Sequence, residues 1–287
     1  MYGDFPFPQH WPETGRNRKS MTAIVRILTS HGFVLAADGR GRDERQNIIR
    51  DDFQKIFPVL GRPLGYAVHG YTGVGNEGTK DILIDIHNEL ENGVRSLARR
   101  NPADLIAYAD KMVRPVYRAL LKAKNDRVLE KYPGKAELDQ PGFGILHVWL
   151  VGYHNGSPSE VDVRLFHRDQ RLYKPVPIQQ KIWIGYNPKT LGSLRVAQLL
   201  YESNDVRFAR FRRTVPSRQV DLTLSEAIEV AKAYINACDS DEGRAVDPEV
   251  CEGIGGKIQI ATITPSGFQW VPGFEYSEET KKDSGQK

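Results

Sequence analysis

Thr22, Asp38 and Lys55 are the residues of this chain whose types and spacing could do chemistry together. A threonine hydroxyl is a poor nucleophile at neutral pH and needs a base; a free α-amino group, with a pKa near ~8, can serve as one on the same residue. A lysine held cationic between a carboxylate and that hydroxyl favours loss of the hydroxyl proton by electrostatics. The expected chemistry is attack on an amide carbonyl by Thr22 Oγ, with Asp38 and Lys55 tuning the nucleophile. The plainer alternative is that Asp38 ends a strand in an Asp-Gly turn and Lys55 pairs with it for reasons of fold alone. The amine itself exists only when residues 1–21 are gone. Either a propeptide is cleaved between Met21 and Thr22, or translation starts at Met21 and that methionine is removed.

The elements that must position these groups are short. Ala23 to Leu28 and Phe33 to Ala37 suit strands, and Ser30-His31-Gly32 between them is polar punctuation with a glycine able to take positive φ. Two antiparallel strands joined there return Asp38 to the side of Thr22. Farther on, Asp51 to Leu60 reads as a strand with Phe53, Lys55 and Phe57 on one face. A lysine on an inward face needs a partner, and Asp38 is the candidate.

These residues resemble the proteasome β-subunit family of N-terminal nucleophile (Ntn) hydrolases, and within it the bacterial proteasome-related type. The resemblance is carried by Thr22, His31-Gly32, Val34-Leu-Ala-Ala-Asp-Gly-Arg40 and Lys55, and extends to Leu64-Gly-Tyr-Ala-Val-His-Gly70 and Thr223-Leu-Thr-Leu-Ser-Glu-Ala-Ile-Glu-Val-Ala231. It implies a threonine-type peptidase acting on peptides or unfolded protein, with Thr22, Asp38 and Lys55 catalytic. A backbone N–H around His69 or Gly70 would stabilise the oxyanion, and Ala67 would floor a roomy first specificity pocket. Two family motifs that supply an orienting hydroxyl and carboxylate differ here, reading Gly185-Tyr-Asn187 and Cys251-Glu-Gly-Ile-Gly-Gly256. Tyr186 offers a hydroxyl at the first. At the second Cys251 is not a carboxylate, which leaves Asp247 or Glu252 as substitutes. Self-cleaving members carry glycine before the threonine, so Met21 favours the internal start. The resemblance also implies a ring or helical homo-oligomer and, by analogy, an ATP-dependent unfoldase partner. The alternatives are a non-catalytic scaffold subunit and an Ntn hydrolase of a small amide.

The rest of the chain reads as an ordered alternation. Asn76 to Leu97 has apolar residues at helical intervals, and Asn101-Pro102 supplies a cap and first-turn proline for a second helix through about Leu121. Strand-like runs follow at Gly144 to Gly152, Val161 to Phe166, Arg171 to Tyr173 and Lys181 to Gly185. A second helix pair spans Lys189 to Tyr201 and Ser225 to Ala237, the latter behind a Thr223/Glu226 capping box. Lys257 to Thr264 and Phe268 to Trp270 close as a hairpin. Strands, two helices, strands, two helices, then strands predict an α+β fold with two stacked antiparallel sheets covered on both outer faces, a four-layer αββα sandwich. That is also the fold the resemblance implies.

Composition bounds the organisation. With 287 residues and 40% hydrophobic content the chain can bury one large core, and no stretch reads as a linker, so residues 22–273 are expected to form one domain. Residues 1–21 lack the apolar core of a secretory signal and contain several prolines, which reads as a disordered leader; residues 274–287 read as a polar mobile tail. Cys238 and Cys251 give neither a disulfide framework nor a metal spacing and suit a reducing cytosol, where the chain is expected to work as a soluble protein. The scattered histidines imply no catalytic metal, and no cofactor is called for. Val206-Arg-Phe-Ala-Arg-Phe-Arg-Arg213 interleaves arginine with phenylalanine, but is read as a solvated helix end or subunit contact rather than a platform for nucleic acid bases. No apolar run is long enough for a membrane span.

Overall fold

Apolar and β-branched runs broken by two-residue turns set the first sheet. β1 (Ile24–Thr29) and β2 (Gly32–Ala37) pair antiparallel, Ile24 opposite Ala37 and Thr29 opposite Gly32, leaving Ser30 and His31 as the turn. Gly32 takes φ of +148°, where a side chain is strained and a Cβ would strike the Ile263 carbonyl. The computed structural model describes residues 22–42, 48–70, 73–75, 82–97, 104–125, 144–168, 171–172, 176–179, 188–212 and 221–276. The leader, Asn76, Asn101-Pro102, the expected strand at 181–185, Tyr186 and residues 277–287 lie outside them.

Three small antiparallel pairs follow, β3 (Gly41–Arg42) with β4 (Ile48–Arg50), β5 (Ile56–Pro58) with β6 (Leu64–Gly70), and β7 (Gly73–Gly75) with β8 (Ile82–Asp85). Then come α1 (Ile86–Leu97) and α2 (Leu105–Asn125). The helix expected from Asn76 is therefore shorter than its sequence period suggested. Ile82 belongs to β8, and Asp85 ends that strand by accepting from Asn88 N at 2.9 Å, which opens α1 at Ile86. Asp104 does the same for α2, accepting from Ala107 N at 2.6 Å.

The middle of the chain is β9 (Gly144–His154), β10 (Ser157–Arg168), β11 (Arg171–Leu172), β12 (Val176–Gln179) and β13 (Lys189–Leu191). Here the helix expected from Lys189 is corrected: residues 189–191 pair with β1, and the helix, α3 (Leu194–Tyr201), begins only after Gly192 breaks the run and Ser193 caps it. A 3-10 turn at Val206–Phe208 and α4 (Ala209–Arg212) precede α5 (Leu224–Cys238), which has the expected capping box, Thr223 and Glu226 each bonding the other's backbone N–H. After α6 (Asp241–Val246) and α7 (Pro248–Cys251), the closing hairpin is β14 (Gln259–Thr264) and β15 (Gly267–Trp270). Phe274, expected in the tail, packs instead on the helical side of the first sheet and accepts from Ile260 N at 3.1 Å.

Among the described residues the chain is thus a mixed fold of antiparallel sheets and seven α-helices. One sheet has the order β13-β1-β2-β14-β15, the other β11-β10-β9-β6-β5 with β12 beside β10. Strand alternation sorts their side chains into three apolar clusters. Val25, Ile27, Val34 and Ala36 meet Val196, Leu200, Val230 and Tyr234 of α3 and α5. Tyr66, Val68, Val148 and Leu150 meet Leu90, Val94, Tyr108 and Met112 of α1 and α2. Between the sheets, Ile24, Phe33, Leu35 and Ile263 meet Ile56, Ala67, Trp149 and Val151. The central strands β1, β2, β6 and β9 therefore contribute buried side chains on both faces, and each buried aromatic or aliphatic side chain contributes about 1.5–3 kcal/mol of desolvation.

The arginine-aromatic run has a structural explanation. Phe208 is fully buried and Phe211 packs on the same cluster. Arg207 pairs with Asp205 at 2.6 Å, Arg210 with Glu242 at 2.7 Å, and Arg212 donates to the Ser203 carbonyl at 2.6 Å. Its rings are used by the core and these three guanidinium groups have protein partners. No helix among the described residues is long and apolar enough to cross a membrane.

Candidate active site

Continuing the β1–β2 register one residue places Ala23 opposite Asp38, and two backbone-directed bonds fix that pair. Asp38 N donates to Ala23 O at 3.0 Å, and Ala23 N donates to Asp38 Oδ1 at 2.8 Å. Asp38 Oδ2 accepts from Arg40 N at 3.2 Å and from Gly255 N at 3.3 Å. A fully buried carboxylate with backbone donors on both oxygens cannot rotate freely.

Lys55 lies just before β5 and completes the cluster. Its Nζ donates to Asp38 Oδ1 at 2.8 Å and to Thr22 Oγ1 at 3.3 Å. Thr22 is only 7% exposed. Burial pushes the Lys55 ammonium below its ordinary range; the charge and hydrogen bond of Asp38 pull it back up, and Arg40 adds a further downward push. The three residues singled out by type and spacing therefore converge.

What holds Lys55 in place was missed in the sequence. Gln259, buried at the start of β14, accepts from Lys55 N at 2.9 Å through Oε1 and donates to Phe53 O at 2.6 Å through Nε2. One side-chain amide thus replaces the strand neighbour that Phe53 and Lys55 lack. On the other side Val68 N donates to Lys55 O at 2.9 Å, tying β6 to the lysine. Phe53 and Phe57 flank Lys55 and both pack edge-on against His87 of α1, with ring centroids 5.1 and 5.3 Å away. Burial lowers the His87 pKa to about 4, partly opposed by Asp85.

A second set of groups reaches Thr22 from β13. Its register with β1 ends with Ile24 opposite Leu191, and Gly192, the next residue, packs on the backbone of Thr22 and Ala23. Gly192 takes φ of +114°, and a Cβ there would lie 2.6 Å from the Thr22 carbonyl oxygen. Only glycine allows that approach. Ser193 is fully buried; its Oγ donates to Asp247 Oδ2 at 2.7 Å and accepts from Val196 N at 3.1 Å as the cap of α3. Tyr234 of α5 braces the turn from behind, its hydroxyl donating to the carbonyls of Leu191 at 3.1 Å and Ser193 at 3.4 Å. Burial holds that phenol well above its ordinary pKa, so it remains a donor.

The remaining expected residues divide. Of the carboxylates offered as substitutes, Asp247 is buried and bonded to Ser193, whereas Glu252 is solvent-exposed. Cys251 is a buried free thiol, as is Cys238, and burial raises the Cys238 thiol far above its usual range. Tyr186 lies outside the described residues. Ala67 is fully buried between the sheets with Ile24, Ala37 and Ile56. His69 and Gly70 end β6, both partly exposed, and Gly70 takes φ of +122°. The signal for Ser193 was a Gly-Ser pair followed by a helix-forming run, overlooked because Lys189 onward was read as helix.

No family model and no curated protein matches the chain. The arrangement is nonetheless a specific one. A hydroxyl and a carboxylate share one buried ammonium, Lys55 Nζ lying 3.3 Å from Thr22 Oγ1 and 2.8 Å from Asp38 Oδ1. Such a set can deprotonate and aim an alcohol.

Proposed function

We propose that this chain is an N-terminal-threonine amide hydrolase, a proteasome-like endopeptidase subunit built as the four-layer αββα sandwich of Ntn hydrolases. The observation that carries the reading is Lys55 Nζ between Thr22 Oγ1 and Asp38 Oδ1, at 3.3 and 2.8 Å, with all three side chains buried. The shared cluster between two antiparallel sheets, and helices packed on both outer clusters, support the sandwich.

In this mechanism the Met21–Thr22 bond is absent, and the Thr22 α-amine takes the proton of its own hydroxyl as Oγ attacks the peptide carbonyl. Lys55, neutralised by Asp38 on one side, stabilises the developing alkoxide on the other. Backbone N–H groups at His69 and Gly70 accept the oxyanion role. The amine then gives its proton to the leaving amine as the C–N bond breaks, leaving an ester on Thr22. Water, deprotonated by the same amine, hydrolyses that ester and restores the hydroxyl. Ser193 and Asp247 orient the amine. The substrate is a peptide or unfolded protein segment, and the chain works in the cytoplasm within a homo-oligomer, an ATP-dependent unfoldase being the partner class that would feed it.

The test is peptide turnover by the wild type and Thr22→Ala, joined to intact-mass analysis after treatment with a peptide epoxyketone. The expected result is a chain beginning at Thr22, one adduct per chain on that residue, and loss of turnover in the variant. Equal turnover in both proteins, or a persistent residue ahead of Thr22 in active material, removes the proposal. A folded chain with neither turnover nor adduct is the scaffold subunit.

A further inference from the structure

A charged cluster lies between the sheets, away from the Thr22 corner, and the mechanism above makes no use of it. Glu160 of β10 is fully buried and accepts three donors. Arg26 of β1 pairs with it as a salt bridge, Lys189 of β13 donates at 2.6 Å, and Trp149 Nε1 of β9 donates at 2.6 Å. Arg26 and Lys189 are directly opposite one another in the β1–β13 register. Like charges facing across an antiparallel pair repel, the more so out of water.

β13 is poorly equipped to resist such repulsion. It is three residues long and, among the described residues, stands at the edge of its sheet and pairs with β1 alone. Arg26 is fixed in the interior at 3% exposure, while the Lys189 side chain is 39% exposed and can leave for solvent. Without a counter-charge, the strand that yields is the one carrying Lys189. The next residue after β13 is Gly192, which packs against the Thr22 carbonyl, followed by Ser193, which bonds Asp247.

We propose that Glu160 is a positioning residue: by cancelling the charge between Arg26 and Lys189 it keeps β13 zipped to β1 and so holds Gly192 against the backbone of Thr22. Its effect on catalysis rests on the hydrolase reading; its effect on β13 does not. Glu160 touches neither Thr22 nor the reacting atoms, and it acts from the sheet opposite Tyr234, which braces the same turn from the helical side.

The test uses the purified full chain, Glu160→Gln, and Glu160→Gln combined with Arg26→Met, followed by amide exchange and by the rate of epoxyketone capture at Thr22. Glu160→Gln keeps an acceptor for Trp149 but loses the charge. It is expected to raise exchange across residues 189–200 at least tenfold, with β6 and β9 unchanged, and to slow capture at least tenfold without changing the reagent concentration at half-maximal rate. Arg26→Met removes one of the two facing cations at similar volume and is expected to restore both readouts, which relief of a packing defect at residue 160 would not do. Unchanged exchange over 189–200 in Glu160→Gln overturns the proposal. So does a double variant no better protected, or no better folded, than the single one. If the parent chain forms no adduct, the hydrolase reading fails while the exchange comparison still decides the role of Glu160.

Discussion

At the scale of single residues, the site is an exercise in burying charge with partners. Asp38 has Lys55 and three backbone N–H groups, and Lys55 has Asp38 and Thr22. Breaking such a buried pair by removing one partner typically costs about 3–5 kcal/mol, because the other charge is stranded. His87 shows the opposite strategy, an ionisable ring kept neutral between two phenylalanines. Its folded pKa of about 4 lies below the ordinary 6.5, so between these values the unfolded chain binds the extra proton. His87 therefore lets stability fall as pH drops from 6.5 to about 4 and contributes no further loss below that. We expect urea titrations across this window to show about 1–3 kcal/mol of acid destabilisation that His87→Gln removes.

At the scale of elements, position is decided by how strands end. β1 and β2 bring Asp38 to Thr22 through a two-residue turn, and β13 ends at Gly192, whose lack of a side chain permits its close approach to the Thr22 carbonyl. Gly192→Ala would put a methyl group 2.6 Å from the Thr22 carbonyl oxygen in a backbone conformation that side chains rarely adopt. The expected outcome is a folded protein destabilised by about 1–3 kcal/mol, with Thr22 displaced and epoxyketone capture reduced at least tenfold. Differential scanning calorimetry and adduct mass would read the two effects. Retention of wild-type capture would mean that the β13 turn does not set the nucleophile. The same logic explains the helix that was misread. Lys189 to Tyr201 has helical composition, but its first three residues complete the sheet edge, and a strand pairing outweighs a weak local preference.

At the scale of the whole molecule, the cluster between the sheets joins two units that each carry their own helices. Phe33 of β2 is fully buried there and meets Tyr153 of β9 edge-on, at 5.8 Å between ring centroids. Phe33→Ala would open a cavity in the layer the two sheets share, at an expected cost of about 3–5 kcal/mol. If the cluster couples the sheets, tryptophan emission and far-UV circular dichroism should be lost in one shared urea transition, moved to lower concentration. Separate transitions for the two signals would instead mark two independently folding halves.

Much of the Thr22 cluster was legible along the chain because its members are linked by local rules. A strand, a two-residue turn and a second strand of matching length bring residue 38 back to residue 22, and alternation predicts that Lys55 needs an acidic partner. The capping box of α5 and the closing hairpin are equally local. The rest depends on pairs far apart in sequence that no periodicity announces. Ser193 meets Asp247 across 54 residues, Arg26 meets Glu160 across 134, and Gln259 reaches Lys55 across 204. Composition and spacing thus determined which groups could react and roughly where two of them would meet. Only the tertiary structure, which sets the burial and the hydrogen-bond geometry of Asp38 and Lys55, decided how the carboxylate and the ammonium stand at Thr22.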